Sequence, residues 1–272
     1  MKTIFLTCLI YTLKNKEVKD NLYLNIFFIW LGKVIQSGGL TEKDQINITI
    51  DTRTHKYLET TKTPLFYMLD QKKVPCNLSF TLINPPANSL EGMMNKYLLI
   101  NYIQDIFIYC DIDILIMNPF SSLVKNMEND KIYACIEGKL KDHYYSDGFS
   151  NHVAKEDLEE SLEGRPGFSA GKFAITGKEQ CHTLFKIIND YCDYSTNYAT
   201  MEQPFFNMAL YLTGEETISV NYTLFTEYVS FNGEGYKKET TVFLDNAGES
   251  AVASVHVSKT FYTLSLFLSG VL

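Results

Sequence analysis

Apolar and polar positions switch between two periods along the chain, and the switching predicts strands and helices in turn. Residues 3–11 (TIFLTCLIY) are almost wholly apolar and read as a strand. Residues 20–37 have helical length, with Asp20 placed to cap the start and Gly38-Gly39 to stop the end. Residues 45–51 (QINITID) alternate and are β-branched, a strand signature; 77–83 is a second such stretch, closed by Pro85-Pro86. A helix is predicted over 89–103 with Ser89 as its cap. Further strands are predicted within 105–116, 132–136 and 168–175, and helices over 178–191 and 202–212. Short strands recur near 218–222 and 254–257. No internal repeat interrupts this order.

Alternating strands and helices imply βαβ units, so the expected fold class is α/β, a mostly parallel mixed sheet flanked by helices. The second half is less regular and should add antiparallel pieces. Sheets of this kind bind ligands at the carboxyl ends of their strands. Residues 142–165 are the most polar stretch. They read as a solvated loop with an exposed helix, or as a lid near a site.

The start, MKTIFLTCLIYTLKNK, imitates a signal peptide but lacks a small-x-small cleavage site, so a buried first strand is expected instead. The apolar runs 22–35 and 261–272 are shorter than the roughly 20 residues that span a bilayer. The second is expected to pack on the core, another subunit or a membrane surface. With 24 Lys+Arg against 32 Asp+Glu the net charge is -8, which disfavours non-specific nucleic-acid binding. Arg53 and Arg165 are the only arginines. Six cysteines show neither a CxxC pair nor zinc spacing, and Cys8, Cys110 and Cys135 fall in strand-like runs; this fits reduced thiols in a cytoplasmic protein.

The residues that stand out chemically are Asp111-Ile112-Asp113, inside FIYCDIDILIMNPF. Burying carboxylates in an apolar strand costs several kcal/mol unless they are paired or bind a cation. Strand alternation puts Asp111 and Asp113 on one side, where a turn would let both reach one divalent ion. Mn²⁺ or Mg²⁺ suits carboxylate ligands and can bridge to phosphate oxygens.

YCDIDILIMNPF resembles the aromatic-x-D-x-D-apolar metal motif of the GT-A-fold glycosyltransferases. KYLLINYIQD (96–105) is similar to the helix before that motif in family 8-like members, the glycogenin and lipopolysaccharide galactosyltransferase group. PGFSAGKFAI (166–175) resembles their F-N-A-G strand, EQPFFN (202–207) their D-Q-x-x-x-N helix start, and VHVSKT (255–260) their late H-F-x-G-x-x-K element. The resemblance spans most of the chain and keeps the family's order. It implies a single Rossmann-like GT-A domain over 1–272, with a nucleotide-sugar-binding half (1–120) ending at the D-x-D motif and an acceptor-side half (121–272).

The resemblance also implies roles. Asp111, Asp113 and His256 would hold Mn²⁺ or Mg²⁺ against the diphosphate of a UDP-sugar, with Ile112 between the two acids. Lys259 would neutralise the leaving phosphate, and Lys96 stands where many members use Arg on the donor. Ser169, Ala170 and Gly171 would lie beside the donor sugar, and Glu202 and Gln203 near the anomeric carbon. Tyr11, ending the first strand, would border the base. Family 8 members retain anomeric configuration. Ser169 replaces the usual Asn and Glu202 the usual Asp, the spacing from His256 to Lys259 is shortened, and the K-P-W ending is absent. The expectation is therefore a metal-dependent transferase moving a sugar to a glycan, protein or lipid hydroxyl. The alternatives are a nucleotidyltransferase, although no Gly-rich phosphate loop is visible, and an inactive nucleotide-sugar-binding module.

Overall fold

The apolar run at the start of the chain becomes the middle of the sheet. The computed structural model describes residues 2–21, 23–61, 74–114, 116, 119–125, 127–152, 162–195, 200–213 and 217–219. Its strands are β1 (Ile4–Ile10), β2 (Gln45–Asp51), β3 (Asn77–Ile83), β4 (Ile106–Cys110), β5 (Ile132–Lys139), β6 (Pro166–Ile175) and β7 (Thr217–Ser219). They form one sheet in the order β3-β2-β1-β4-β6-β5-β7. β1 lies parallel to β2 and β4, β2 parallel to β3, and β5 parallel to β7. β6 alone is reversed, pairing antiparallel with β4 and β5. This is the expected α/β class, with the antiparallel piece in the second half.

A strand covered on both faces reads as continuously apolar rather than alternating, which is why IFLTCLI is buried at all seven positions. Its even positions, Ile4, Leu6, Cys8 and Ile10, join a core with Phe27, Trp30 and Val34 of α1 (Tyr23–Ser37). Phe5 and Leu9 face the other way, into a core with Phe107, Phe173, Phe185 and Phe206. Helices α6 (Lys178–Tyr191) and α7 (Gln203–Thr213) pack on that side. The other α-helices among the described residues are α2 (Thr52–Thr60), α3 (Ser89–Met94), α4 (Phe120–Val124) and α5 (His143–Ser146). Cys8, Cys110, Cys135 and Cys181 are buried, and all six thiols are free. Among the described residues no helix is long and apolar enough to cross a membrane.

Several boundaries differ from the sequence reading, each for a local reason. Asp20 does not cap α1; it closes a 3-10 turn (Val18–Asp20), and the Asn21 side chain accepts the Tyr23 N–H at 3.0 Å instead. The expected stop holds, with Gly39 at φ +62°. The helix predicted over 89–103 ends at Met94, and Asn88 rather than Ser89 caps it by accepting the Glu91 N–H. Asn95 closes its end by donating to the Glu91 and Gly92 carbonyls, and a 3-10 turn (Asn95–Tyr97) follows. Helix α2 escaped the sequence reading because only Thr54 and Leu58 are buried in it. β4 stops at Cys110, short of the two aspartates. The strand predicted at 254–257 and the tail 261–272 lie outside the described residues.

Phe173 is fully buried, with ring centroids 4.9 Å from Phe206, 5.4 Å from Tyr109 and 6.1 Å from Phe107. It joins the sheet to α7. Phe173→Ala is expected to cost about 3–5 kcal/mol, read as a lowered urea midpoint with little change in slope.

Candidate functional site

Because β4 ends at Cys110, the chain turns where the sequence suggested more strand. The Ile114 N–H donates to the Asp111 carbonyl at 3.2 Å, closing a turn over Asp111–Ile114. The two aspartates are thus half-buried in a turn at the carboxyl edge of the sheet, not embedded in an apolar strand. Tyr11, Asp111, Ile112 and Asp113 line a cleft of about 630 Å³ there. The opposite wall is the loop after β1, with Thr12, Lys16, Glu17, Asp20 and Asn21, together with Tyr23 from α1.

Behind Asp111 lies a chain of hydrogen bonds. The backbone of β6 loses its β4 partner beyond Lys172, apart from the Asp111 N–H, which donates to the Gly171 carbonyl at 2.7 Å. Two side chains one turn apart on α7 take over. Gln203 Oε1 accepts the Ala170 N–H at 3.2 Å, and Asn207 exchanges two bonds with the Phe168 backbone at 2.8 and 2.9 Å. Buried backbone groups need such partners, which gives the Q-x-x-x-N spacing a structural cause. Ser169 Oγ accepts the Gly171 N–H at 3.2 Å. Gly171 is required by close approach: a Cβ there would stand 2.7 Å from Asp111 Oδ2.

Lys96, on the 3-10 turn after α3, sits at the centre of this chain with its side chain fully buried. Its ammonium donates to Glu202 Oε1 at 2.5 Å and to the Ala170 carbonyl at 3.3 Å. It lies 3.6 Å from Asp111 Oδ1 and 4.9 Å from the Tyr109 ring centroid. Burial acts to lower its pKa, but Asp111 and Glu202 outweigh that, and the net shift is upward. Burial raises the Glu202 carboxyl, with Lys96 opposing. The Tyr109 hydroxyl donates to Asp111 Oδ1 at 2.6 Å. Burial, followed by the charge of Asp111, holds the Asp113 carboxyl well above the usual carboxylate range.

The structure therefore joins Lys96, Asp111, Ala170, Gly171, Glu202 and Gln203 in one cluster, with Ser169 beside it. Tyr11, Ile112 and Asp113 face the cleft with Asp111. Lys96 turns to protein acceptors rather than lining the cleft. The Tyr11 ring rests on the Cα of Gly92, and its hydroxyl donates to the Ser89 carbonyl at 3.3 Å. His256 and Lys259 lie outside the described residues. Among the described residues no group of three His, Cys, Asp or Glu side chains is placed to hold a metal. Asp111 and Asp113 provide two hard oxygen donors at the cleft surface, with the charge of Asp111 adding to the upward shift of Asp113, and that pair suits a divalent cation.

Lys16, Glu17, Asn21 and Tyr23 were missed as cleft residues. The signal was available: in a parallel sheet the loop after the first strand lies at the ligand-binding edge. Tyr23 was hidden in an apolar helix run, and Asp20 had been assigned to capping.

The strand order, the single reversed strand and the acid-bearing turn after β4 define a GT-A fold. The chain is similar in structure to mouse xyloside xylosyltransferase 1 in its apo form, with 12% identity over 81% of this chain and 86% of that one, at a TM-score of 0.50. It also aligns with the galactosyltransferase LgtC in complex with donor and acceptor sugar analogues, at 17% identity over 82% of this chain and 74% of that one, with a TM-score of 0.49. No protein-family model and no curated protein matches the sequence.

Lys96→Met leaves Glu202 buried without its counter-charge and is expected to cost about 3–5 kcal/mol. Adding Glu202→Leu should recover most of the loss. A carboxyl whose folded pKa is raised above the unfolded value of about 4.3 opposes folding above that pH and stops doing so below it. The K96M deficit should therefore be largest at neutral pH and shrink toward pH 4 in urea titrations.

Proposed function

We propose that this protein is a metal-dependent glycosyltransferase that moves a sugar from a nucleotide-sugar donor, a UDP-sugar, to an acceptor hydroxyl with retention of configuration. The observation that carries the reading is the Asp111–Asp113 turn, opening into a cleft at the carboxyl edge of a GT-A sheet and backed by the buried Lys96–Glu202 pair. The class of the structural neighbour xyloside xylosyltransferase 1 points the same way.

In this reading Asp111 and Asp113 hold Mn²⁺ or Mg²⁺, with His256 as the third protein ligand. The bound ion supplies Lewis-acid stabilisation of charge on the departing diphosphate. Tyr109 and Lys96 orient Asp111, so its carboxylate is fixed before the donor arrives. Gly171 lets the sugar approach the backbone of β6. Glu202, neutralised by Lys96, and Gln203, bonded to Ala170, shape the floor near the reacting carbon. Lys259 offsets phosphate charge. Topology supports a contribution from the later chain: β7 runs parallel to β5, so the chain leaves Ser219 at the same sheet edge as the Asp111 turn. The acceptor is a glycan, protein or lipid hydroxyl.

A panel of nucleotide sugars incubated with Mn²⁺ tests this. Slow release of nucleoside diphosphate from one donor, lost with EDTA, is the expected result. Pyrophosphate release would instead indicate a nucleotidyltransferase. No turnover, with thermal stabilisation by UDP plus Mn²⁺, would indicate an inactive binding module. Asp111→Asn and Asp113→Asn should each lower turnover at least about a hundredfold with an unchanged far-UV spectrum. Gly171→Ala, which crowds Asp111, should cost about tenfold.

A further inference from the structure

The loop after β1 supplies one wall of the cleft, yet its sequence, TLKNKEVKD, has little that could anchor it in a core. Of these residues only Thr12 and Val18 are buried. What holds it comes from the junction between β2 and α2. Asp51 is fully buried, and its Oδ1 caps α2 by accepting the Arg53 and Thr54 N–H groups, both at 3.0 Å. Its Oδ2 reaches across to the Thr12 N–H at 2.8 Å. The Thr54 hydroxyl donates to Thr12 Oγ1 at 2.8 Å, and Asn21 Nδ2 donates to the Tyr11 carbonyl and to Thr12 Oγ1 at 2.9 and 2.8 Å. Beyond Thr12 the grip passes to Arg53. Its Nη1 donates to the Lys14 carbonyl and its Nη2 to the Lys16 carbonyl, both at 2.8 Å.

We propose that Arg53 is a positioning residue for donor binding: its guanidinium fork clamps the Lys14 and Lys16 carbonyls and so fixes Lys16 and Glu17 as a preformed wall of the cleft. The proposal rests on the cleft being the nucleotide-sugar site. Arg53 does not line the cleft, so its effect passes through the loop. The geometry needs an arginine. Two carbonyls two residues apart are met by two donors at fixed spacing, which a lysine ammonium on a flexible stem does not reproduce. In a chain whose other basic side chains are lysines, Arg165 apart, the guanidinium stands where a fork is used. Order supplied before binding is order the ligand need not impose, so losing the clamp weakens affinity rather than chemistry.

The test compares the full chain with Arg53→Ala and Arg53→Lys in three measurements. Deuterium exchange of peptides covering 12–20 should accelerate about tenfold or more in R53A, as expected for losing two hydrogen bonds, while β1, β4 and α2 keep their protection. UDP binding with Mn²⁺, and the KM of whichever donor turns over, should weaken about tenfold with kcat within about twofold. R53K should recover little, and millimolar methylguanidinium should restore part of the R53A binding. Unchanged exchange over 12–20, acceleration spread equally over α2 and the sheet, or a fall in kcat at constant KM would each overturn the proposal. A wild-type protein that binds no nucleotide would overturn both the donor reading and this assignment. If the wild type binds and R53A binds equally well, this assignment alone is overturned.

Discussion

A lysine ammonium with no access to water must be surrounded by negative charge, and the site is organised by how Lys96 meets that demand. Its three hydrogens face a carboxylate from the loop before α7, a carbonyl from β6 and a carboxylate from the turn after β4. These partners come from three separate chain segments, the nearest 15 and the farthest 106 residues from Lys96. Removing the ammonium would leave Glu202 buried and uncompensated, a far larger cost than the net value of the pair itself. The ion pair therefore contributes specificity of arrangement more than stability. It tells the 3-10 turn after α3, the end of β4 and the start of α7 where to be relative to one another, and Asp111 inherits its position from that agreement.

The reversed strand makes this convergence possible. β6 enters from the carboxyl edge, so its first residues extend past the end of β4 and lack a neighbour on that side. A backbone left open near the middle of a sheet must be closed by something, and α7 does so with Gln203 and Asn207. The helix is thereby pulled against Ala170 and Gly171, close to the acids. One topological fact, a short β4 beside a long antiparallel β6, yields both a half-buried acid pair at the sheet edge and a helix start beside it.

Much of the fold was legible in the sequence because burial on two faces leaves a strong signal. The runs 3–11, 45–51 and 77–83 became parallel strands with few changes in extent. The paired acids of the site were legible for a related reason: Asp111 and Asp113 interrupt an apolar run. What the sequence hid was local competition for hydrogen bonds. Asn21 displaced Asp20 as the helix cap, Asn95 shortened the helix begun at Ser89, and α2 showed too little apolar periodicity to be seen. Lys96 was recognisable as a charged residue near the motif, but nothing in its neighbours in sequence discloses that its partners lie at 111, 170 and 202. Such pairings are set by tertiary packing, which a one-dimensional pattern carries only where it repeats.

Charge balance ties the proposed chemistry to the observed geometry. Asp111, Asp113 and Glu202 bring three acidic groups to one corner, and Lys96 compensates for only one of them. The upward shift of Asp113, set first by its burial and then by the charge of Asp111, is the response available to the protein alone. A nucleoside diphosphate would add further negative charge to the same corner, so protonation by itself leaves a cleft that repels the proposed donor. In the proposed reading a divalent cation would resolve both conflicts, offsetting the charge of the acids and giving the phosphates something to bind. In that reading the acid pair serves as a cation site rather than as a general acid and base, which would need two carboxyls placed across a bond between them.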